Sequence, residues 1–214
     1  MSGDRPRISI SVIVATCDRQ TLGRALRSSR WADERVVVFD AEAPPRHPRG
    51  CVVSAVGPTG AWGGPQRNHG MRIARGTHLA FMDDDDAYTR AAGKAIRDAV
   101  LLQPTKVHVF RMRNGDKVYS GPVASGRVGT PMFVVPREPV GRWTNRYGDD
   151  FDFITETMRL RGDEPVYHET IVATVRPLTL ERTLLAALSV RTQRRVLARW
   201  LRRVEERLGR RGRS

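Results

Sequence analysis

The chain has 214 residues, of which 40% are hydrophobic and 28% are charged, as expected for one ordinary globular domain. It contains only two cysteines, too few for a disulfide framework. No apolar stretch approaches the roughly 20 residues of a membrane-spanning helix, and no apolar signal segment stands at the N-terminus. These features exclude collagen-like, disulfide-rich and membrane-spanning classes, and we expect a protein of the reducing cytoplasm.

The net charge of +14 is uneven along the chain. Residues 191–214 contain ten Arg and two Glu, so much of the excess lies in this C-terminal stretch. Only three of the 37 basic residues are Lys, and a GC-rich genome produces such an Arg bias without selection for phosphate contacts. The charge is therefore weak evidence for a nucleic-acid-binding core.

Strands and helices alternate in the first half of the chain according to its hydrophobic pattern. A proline-rich loop over 41–50 and a glycine-rich loop over 57–65 interrupt the alternation. The predicted elements are strand 8–15, helix 22–29, strand 35–39, strand 51–56, helix 65–74 and strand 78–82. Such an order predicts an α/β fold whose sheet is parallel in its first half.

The second half combines more varied elements. Asn114-Gly115 predicts a hairpin turn, and Asp149 and Asp150 stand at the start of a helix whose apolar residues recur at helical spacing. The predicted elements are helix 89–102, strand 106–112, strand 132–135, helix 149–161, strand 166–175 and helix 179–208. The last of these is a basic amphipathic helix within an Arg-rich tail.

Acidic residues follow three of the predicted strands. Asp18 and Asp40 come after the first two, and residues 83–86 are four consecutive Asp after the strand 78–82. Ligands of parallel sheets bind at the carboxyl ends of strands. Neighbouring carboxylates repel one another by up to about 4 kcal/mol for a close pair, which a hard divalent cation offsets. The acidic run therefore predicts a site for a metal and a phosphate group, with a solvated helix-capping turn as the alternative.

The motifs, taken in order, resemble a known family. SVIVATCDR, VVVFD, GGPQRNHGMRIARGTHLAFMDDDD and YGDDFDF are similar to segments of family-two glycosyltransferases of the GT-A fold, over residues 8 to about 160. The resemblance implies a GT-A-like, Rossmann-type mixed sheet flanked by helices in residues 1–177. Its nucleotide-sugar half spans about 8–112 and its acceptor half about 113–177, and residues 178–214 follow as a C-terminal basic amphipathic helix and tail.

The implied activity is metal-dependent, inverting transfer of a sugar from a nucleoside-diphosphate sugar to a hydroxyl acceptor. The residues that the resemblance assigns to the nucleotide are Ala15, Thr16, Asp18, Asp40, Arg67, Asn68 and Asp83. The family commonly has Asp-Asp-Gly-Ser where this chain has Phe39-Asp40-Ala41-Glu42, so one of two paired acids is missing. The identity of the base therefore stays open.

The resemblance also implies the metal ligands and the general base. Asp83 and Asp85 form the DxD pair for Mn²⁺ or Mg²⁺, with Asp84 and Asp86 as alternatives in register. His168 is similar to a late His that reaches the metal in some GT-A enzymes. Asp150 is the base that takes the proton of the acceptor, and the helix N-terminus is expected to keep it ionised. Plain capping of the helix by Asp is its structural alternative.

Other parts of the chain allow more than one interpretation. Trp62, Trp143 and Tyr147 are candidates for stacking on a sugar or for core packing, and the loop 57–65 is a candidate lid. The C-terminal helix is predicted either to contact an anionic membrane, which would suit a lipid-linked or macromolecular acceptor, or to pack on the domain. The rival functions are nucleotidyl transfer, for which the glycine-rich phosphate loop is missing after strand 8–15, and non-catalytic binding of carbohydrate or nucleic acid.

Overall fold

A computed structural model describes residues 8–177, which belong to one compact unit ending at Pro177. Within this range the chain forms nine strands and four α-helices. In chain order they are β1 (Ile10–Thr16), α1 (Leu22–Ser28), β2 (Glu34–Phe39), β3 (Val52–Ala55), α2 (Gly64–Ile73), β4 (His78–Asp83), β5 (Ala87–Tyr88), α3 (Ala92–Leu102), β6 (His108–Asn114), β7 (Lys117–Tyr119), β8 (Phe133–Pro136), α4 (Asp149–Arg161) and β9 (Val166–Val175). A short 3-10 helix, Thr130–Met132, precedes β8.

All nine strands form one mixed sheet. Their order is β3-β2-β1-β4-β8-β6-β9-β5, and β7 pairs with β6. The pairs among β3, β2, β1 and β4 are parallel, whereas β8 is antiparallel to both β4 and β6. The predicted α/β class with a sheet that is parallel in its first half is therefore confirmed.

The apolar strands explain why the sheet lies at the centre. Every residue of β1 is buried, and so are the last four residues of β2, as expected for strands covered on both faces. Helix α2 packs closely on β1 at Gly70, where an added Cβ would lie 2.5 Å from Ile13 Cγ2. Phe81, Phe133 and Phe153 are fully buried in the core, where the rings of Phe81 and Phe153 meet edge to face with centroids 5.1 Å apart.

The sequence predicted the long elements to within three residues at each end. The hairpin at Asn114-Gly115 is confirmed as the turn between β6 and β7. The two-residue β5, the three-residue β7 and the 3-10 helix were not predicted, because elements this short leave no periodic pattern. The predicted helix 179–208 lies outside the described residues. Among those described, no helix is long and apolar enough to span a membrane.

Candidate functional site

Two adjoining cavities open where β1, β2 and β4 end. The smaller, of about 160 Å³, is lined by residues that include Ala15, Thr16, Asp40, Trp62, Arg67 and Asp85. The larger, of about 450 Å³, is lined by residues that include Asn114, Tyr119, Thr130, Tyr147 and Asp150. Asp83 and Arg176 line both cavities. The strand ends that carry the predicted acidic residues therefore border a cleft made of two cavities. Asp83 and Arg176 form the wall that the two cavities share.

One carboxylate of the acidic run is used inside the fold. Asp84 is buried, and its Oδ2 accepts a hydrogen bond of 2.6 Å from the Thr16 hydroxyl. The backbone N–H groups of Cys17 and Arg19 also point to this oxygen, at 3.3 and 3.4 Å. These contacts join the end of β1 to the end of β4, and Asp84 also lines the smaller cavity.

The other three carboxylates form a cluster. Oxygen atoms of Asp83, Asp85 and Asp86 lie within 4.8 Å of one another. Burial raises the pKa of Asp86 to about 8, and the charges of Asp83 and Asp85 act in the same direction. Carboxylate oxygens are the ligands that Mg²⁺ and Mn²⁺ prefer, so the donor set fits a hard divalent cation. The cluster contains the predicted pair Asp83 and Asp85 and adds Asp86.

Two arginines that the sequence analysis did not single out contact this cluster. Arg176 Nε lies 3.1 Å from Asp85 Oδ2, and its backbone N–H donates to Asp86 Oδ1 at 3.0 Å. Arg19 forms an ion pair with the same Asp85 oxygen. Arg176 directly follows β9, and Arg19 lies three residues after β1. In the sequence, only their positions just after strands indicated that these arginines could reach the site. An isolated Arg after a strand is common, so this signal is weak.

Arg67 is a buried cation at the centre of the site. It projects from α2, donates to Asp83 Oδ1 and also donates to the Trp62 carbonyl at 3.1 Å. Its guanidinium carbon lies 4.5 Å from the ring centroid of Trp143. An Arg67 nitrogen is also 3.7 Å from Asp149 Oδ2. Burial raises the pKa of Asp149 to about 7, although Arg67 opposes that shift. The positive charge of Arg67 therefore lies between Asp83 at the end of β4 and Asp149 at the start of α4.

Asp40 connects the end of β2 to the loop 57–65. Its Oδ1 accepts hydrogen bonds from the Thr59 backbone N–H at 2.7 Å, the Thr59 hydroxyl at 2.8 Å and Gln66 Nε2 at 2.7 Å. Gly57 has a φ of +118°, and a Cβ there would lie 2.7 Å from the same oxygen. Asp40 thus shapes the loop beside the smaller cavity, and Gln66 is a wall residue that sequence reasoning missed.

Asn68 and Asp18 are not placed as predicted for nucleotide contacts. Asn68 Oδ1 accepts from the Trp143 N–H at 3.0 Å, and its Nδ2 donates to the Trp143 carbonyl at 2.7 Å. Asp18 is exposed and pairs with Arg46 at 2.6 Å. Neither residue lines the smaller cavity. The structure does not bring either side chain to the smaller cavity: Asn68 holds the loop at Trp143, and Asp18 pairs with Arg46.

His168 lies at the opposite end of the sheet from the carboxylate cluster. Its Nε2 is 3.0 Å from His108 Nδ1, and its ring stacks on Phe110 at 4.3 Å. His168 stands seven positions before Val175, which lines the larger cavity. At about 3.3 Å per residue, the separation is roughly 23 Å. The prediction of His168 as a metal ligand is corrected, because β9 carries it away from the cluster.

Asp150 stands at the start of α4 and lines the larger cavity together with Asp83. Its Oδ1 accepts a hydrogen bond of 2.8 Å from the Phe151 N–H. Burial nevertheless raises the pKa of Asp150, so desolvation outweighs the stabilisation expected from the helix N-terminus. A carboxylate with a raised pKa is a better proton acceptor than an ordinary surface Asp.

The three candidate aromatic residues divide into two groups. Trp143 is buried and stacks on Phe153 at 4.3 Å, so core packing is its role. Trp62 and Tyr147 are exposed and contact each other edge to face, with ring centroids 5.4 Å apart. Trp62 lines the smaller cavity and Tyr147 the larger. This exposed aromatic pair therefore stands where the two cavities meet.

Asn68→Ala tests the structural role of that side chain. We expect the free energy of unfolding to fall by about 1–3 kcal/mol, because both backbone groups of Trp143 lose their partner. Urea unfolding measures this loss, with the exposed Asn145→Ala as a control. Unchanged stability combined with weakened nucleotide binding would support the original assignment of Asn68 instead.

Comparison with solved structures identifies the fold. The S. aureus TarS 1–349 crystal structure superposes with a TM-score of 0.64 at 16% sequence identity, over 78% of this chain and 60% of that one. The same protein in complex with UDP-GlcNAc gives a TM-score of 0.60 at 16% identity, over 86% and 62%. The predicted GT-A-like architecture, a mixed sheet flanked by helices, is therefore confirmed. This chain spans about 60% of the length of those structures.

No protein-family model and no curated protein matches the chain. The likeness therefore concerns the fold.

Proposed function

We propose that this protein is a metal-dependent glycosyltransferase that uses a nucleoside-diphosphate sugar and inverts the anomeric centre. The observation that carries the proposal is the cluster of Asp83, Asp85 and Asp86 between the two cavities, in which Asp83 lines both cavities, Asp85 the smaller one and Asp86 the larger one. A transferase must bring its donor and its acceptor into contact, and two cavities that share Asp83 and Arg176 allow such a contact. The TarS complexes with UDP-GlcNAc and UDP support the choice of donor class.

The smaller cavity is the proposed site of the nucleotide. Ala15 and Thr16 form its wall at the end of β1, and Asp40 faces it from the end of β2. Asp83, Asp85 and Asp86 would hold a Mn²⁺ or Mg²⁺ ion, which would supply Lewis acidity for departure of the diphosphate. Arg19 and Arg176 bring two further positive charges to the same place. These cations compensate the charge of a diphosphate beside three carboxylates.

The larger cavity is the proposed site of the acceptor. Asp150 takes the proton of the acceptor hydroxyl as its oxygen attacks the anomeric carbon of the donor. The new carbon–oxygen bond forms as the bond to the diphosphate breaks, and the electron pair leaves with the nucleoside diphosphate. Attack from the cavity opposite the diphosphate inverts the anomeric centre. Asp150 then releases its proton to solvent.

A thermal-shift measurement tests the donor site. We expect UDP with Mn²⁺ to raise the melting temperature more than UDP or Mn²⁺ alone, because a ligand at 100 times its Kd adds about 2.7 kcal/mol to stability. Other nucleoside diphosphates are compared in the same way, since the base stays open. Asp85→Asn should abolish the combined shift by removing a charged oxygen ligand.

Asp98→Asn is the matched control, since Asp98 is exposed on α3 and pairs only with Lys94 in the same helix. It should keep the full shift. If no nucleoside diphosphate stabilises the folded protein with Mn²⁺, the transferase proposal fails, and carbohydrate or nucleic-acid binding without catalysis takes its place.

A further inference from the structure

We infer that the acceptor is a neutral carbohydrate whose ring stacks on the aromatic pair Trp62 and Tyr147. The inference rests on the proposed function and specifies the chemistry of the larger cavity. Tyr147 is 80% exposed and Trp62 is 64% exposed, although both side chains are large. Exposed aromatic surface at the rim of a polar cleft indicates a binding site.

The contact between the two rings presents a defined surface. Their planes meet at 73°, so each ring keeps one face free of the other. A pyranose ring has apolar C–H faces and a polar rim of hydroxyl groups. An aromatic face can therefore cover the C–H groups of the sugar while its hydroxyl groups reach the polar wall beside it. Trp62 and Tyr147 offer such a face at the junction of the cavities.

The wall of the larger cavity offers uncharged hydrogen-bonding groups that suit hydroxyls. These are the side chains of Asn114, Tyr119, Ser125 and Thr130. An aromatic rim beside a wall rich in hydrogen-bonding groups matches a polyhydroxylated ligand better than an apolar one.

The charges of the same cavity disfavour a phosphorylated acceptor. Arg146 Nε lies 2.7 Å from Asp152, and Arg176 is already assigned to the diphosphate of the donor. Asp150, the proposed base, also lines the cavity, and its carboxylate repels an anion. An acceptor without charge avoids both costs.

The position of Tyr147 relates the stacked ring to the chemistry. Tyr147 comes three residues before Asp150, and both line the larger cavity. A sugar held on Tyr147 therefore lies against the same wall as the proposed base. Stacking limits the ring to a few orientations, so it positions a hydroxyl for proton transfer.

Glycan-array binding tests the inference on the full chain in the presence of UDP and Mn²⁺. The array carries neutral oligosaccharides, sialylated oligosaccharides and sugar phosphates. We expect signal on neutral oligosaccharides that Tyr147→Ala weakens by about tenfold, the effect of losing a good aromatic contact. Tyr147→Phe keeps the ring and should keep the signal. Leu101→Ala removes an exposed side chain on α3 and serves as the control for surface changes.

Three results would overturn the inference: no signal on any neutral oligosaccharide, signal confined to sialylated or phosphorylated glycans, or neutral-glycan binding that Tyr147→Ala leaves unchanged. The nucleotide shift of Tyr147→Ala is measured in parallel and should match that of the unmodified chain. An intact nucleotide shift with no glycan signal rejects the acceptor class alone. Glycan signal without any nucleotide shift rejects the transferase proposal alone.

Discussion

Asp150→Asn is expected to lower the rate of sugar transfer by about 10²- to 10⁴-fold, the usual contribution of a general base. The amide keeps the size of the side chain and cannot take the acceptor proton. Release of UDP from UDP-GlcNAc, with water or an oligosaccharide as acceptor, measures the rate. Stabilisation by UDP and Mn²⁺ should be unchanged, because Asp150 lines the larger cavity and not the smaller one.

The pH profile provides a second readout for Asp150. Burial raises the pKa of Asp150, so the base form is lost at a higher pH than for an ordinary Asp. The rate should therefore fall on the acid side of the profile as the pH drops through this raised pKa. The acid limb should disappear in Asp150→Asn. Asp163→Asn, at the other end of α4, is the control, and an Asp150→Asn variant as active as this control would refute the assignment.

Arg67→Ala is expected to cost about 3–5 kcal/mol of folding stability, the usual effect of removing one partner from a buried ion pair. Arg67 is 3% exposed and contacts Asp83, Asp149 and the face of Trp143. Without it, the buried carboxylate of Asp149 loses its cation while the negative charge of Asp83 still acts on it. Urea unfolding measures the loss, and the exposed Arg72→Ala on the same helix should change stability little.

The loss of folding stability in Arg67→Ala should be larger at high pH than at low pH. The pKa of Asp149 is already raised to about 7, and removing Arg67 raises it further. Between the ordinary Asp value of about 3.9 and this raised pKa, the folded state binds more protons than the unfolded state. Stability of the variant therefore falls as the pH rises through that window. A deficit at pH 5 equal to or larger than that at pH 8 would contradict this account.

The sequence predicted the sheet because its strands carry a simple signal. β1 and β4 are nearly continuous apolar runs that end abruptly at polar residues, and α4 carries apolar residues at helical spacing between an acidic start and a glycine. Such patterns depend on local burial alone. The rim of acidic residues followed from the same logic, since strand ends of a parallel sheet meet at one edge.

Side-chain direction within the rim could not be predicted. Four adjacent Asp residues look equivalent in sequence, yet Asp84 is bound to Thr16 across the sheet while Asp83, Asp85 and Asp86 form the cluster. Arg176 reaches the cluster through the pairing of β9 with β6 and β5, a contact between distant parts of the chain. His168 was assigned from motif similarity; the sequence predicted its place at the start of strand 166–175 but not that this strand runs parallel to β6, which puts its start away from the cluster.

Because Asp83 and Arg176 line both cavities, binding of a ligand in one cavity is coupled to binding in the other. Any ligand that moves Asp83 or Arg176 from one side alters the surface presented on the other. Thermodynamic linkage requires such an influence to be reciprocal: a nucleotide that improves affinity for a sugar must itself bind more tightly by the same factor when that sugar is present. An ordered sequence of substrate binding can thus arise from two side chains, without any domain movement.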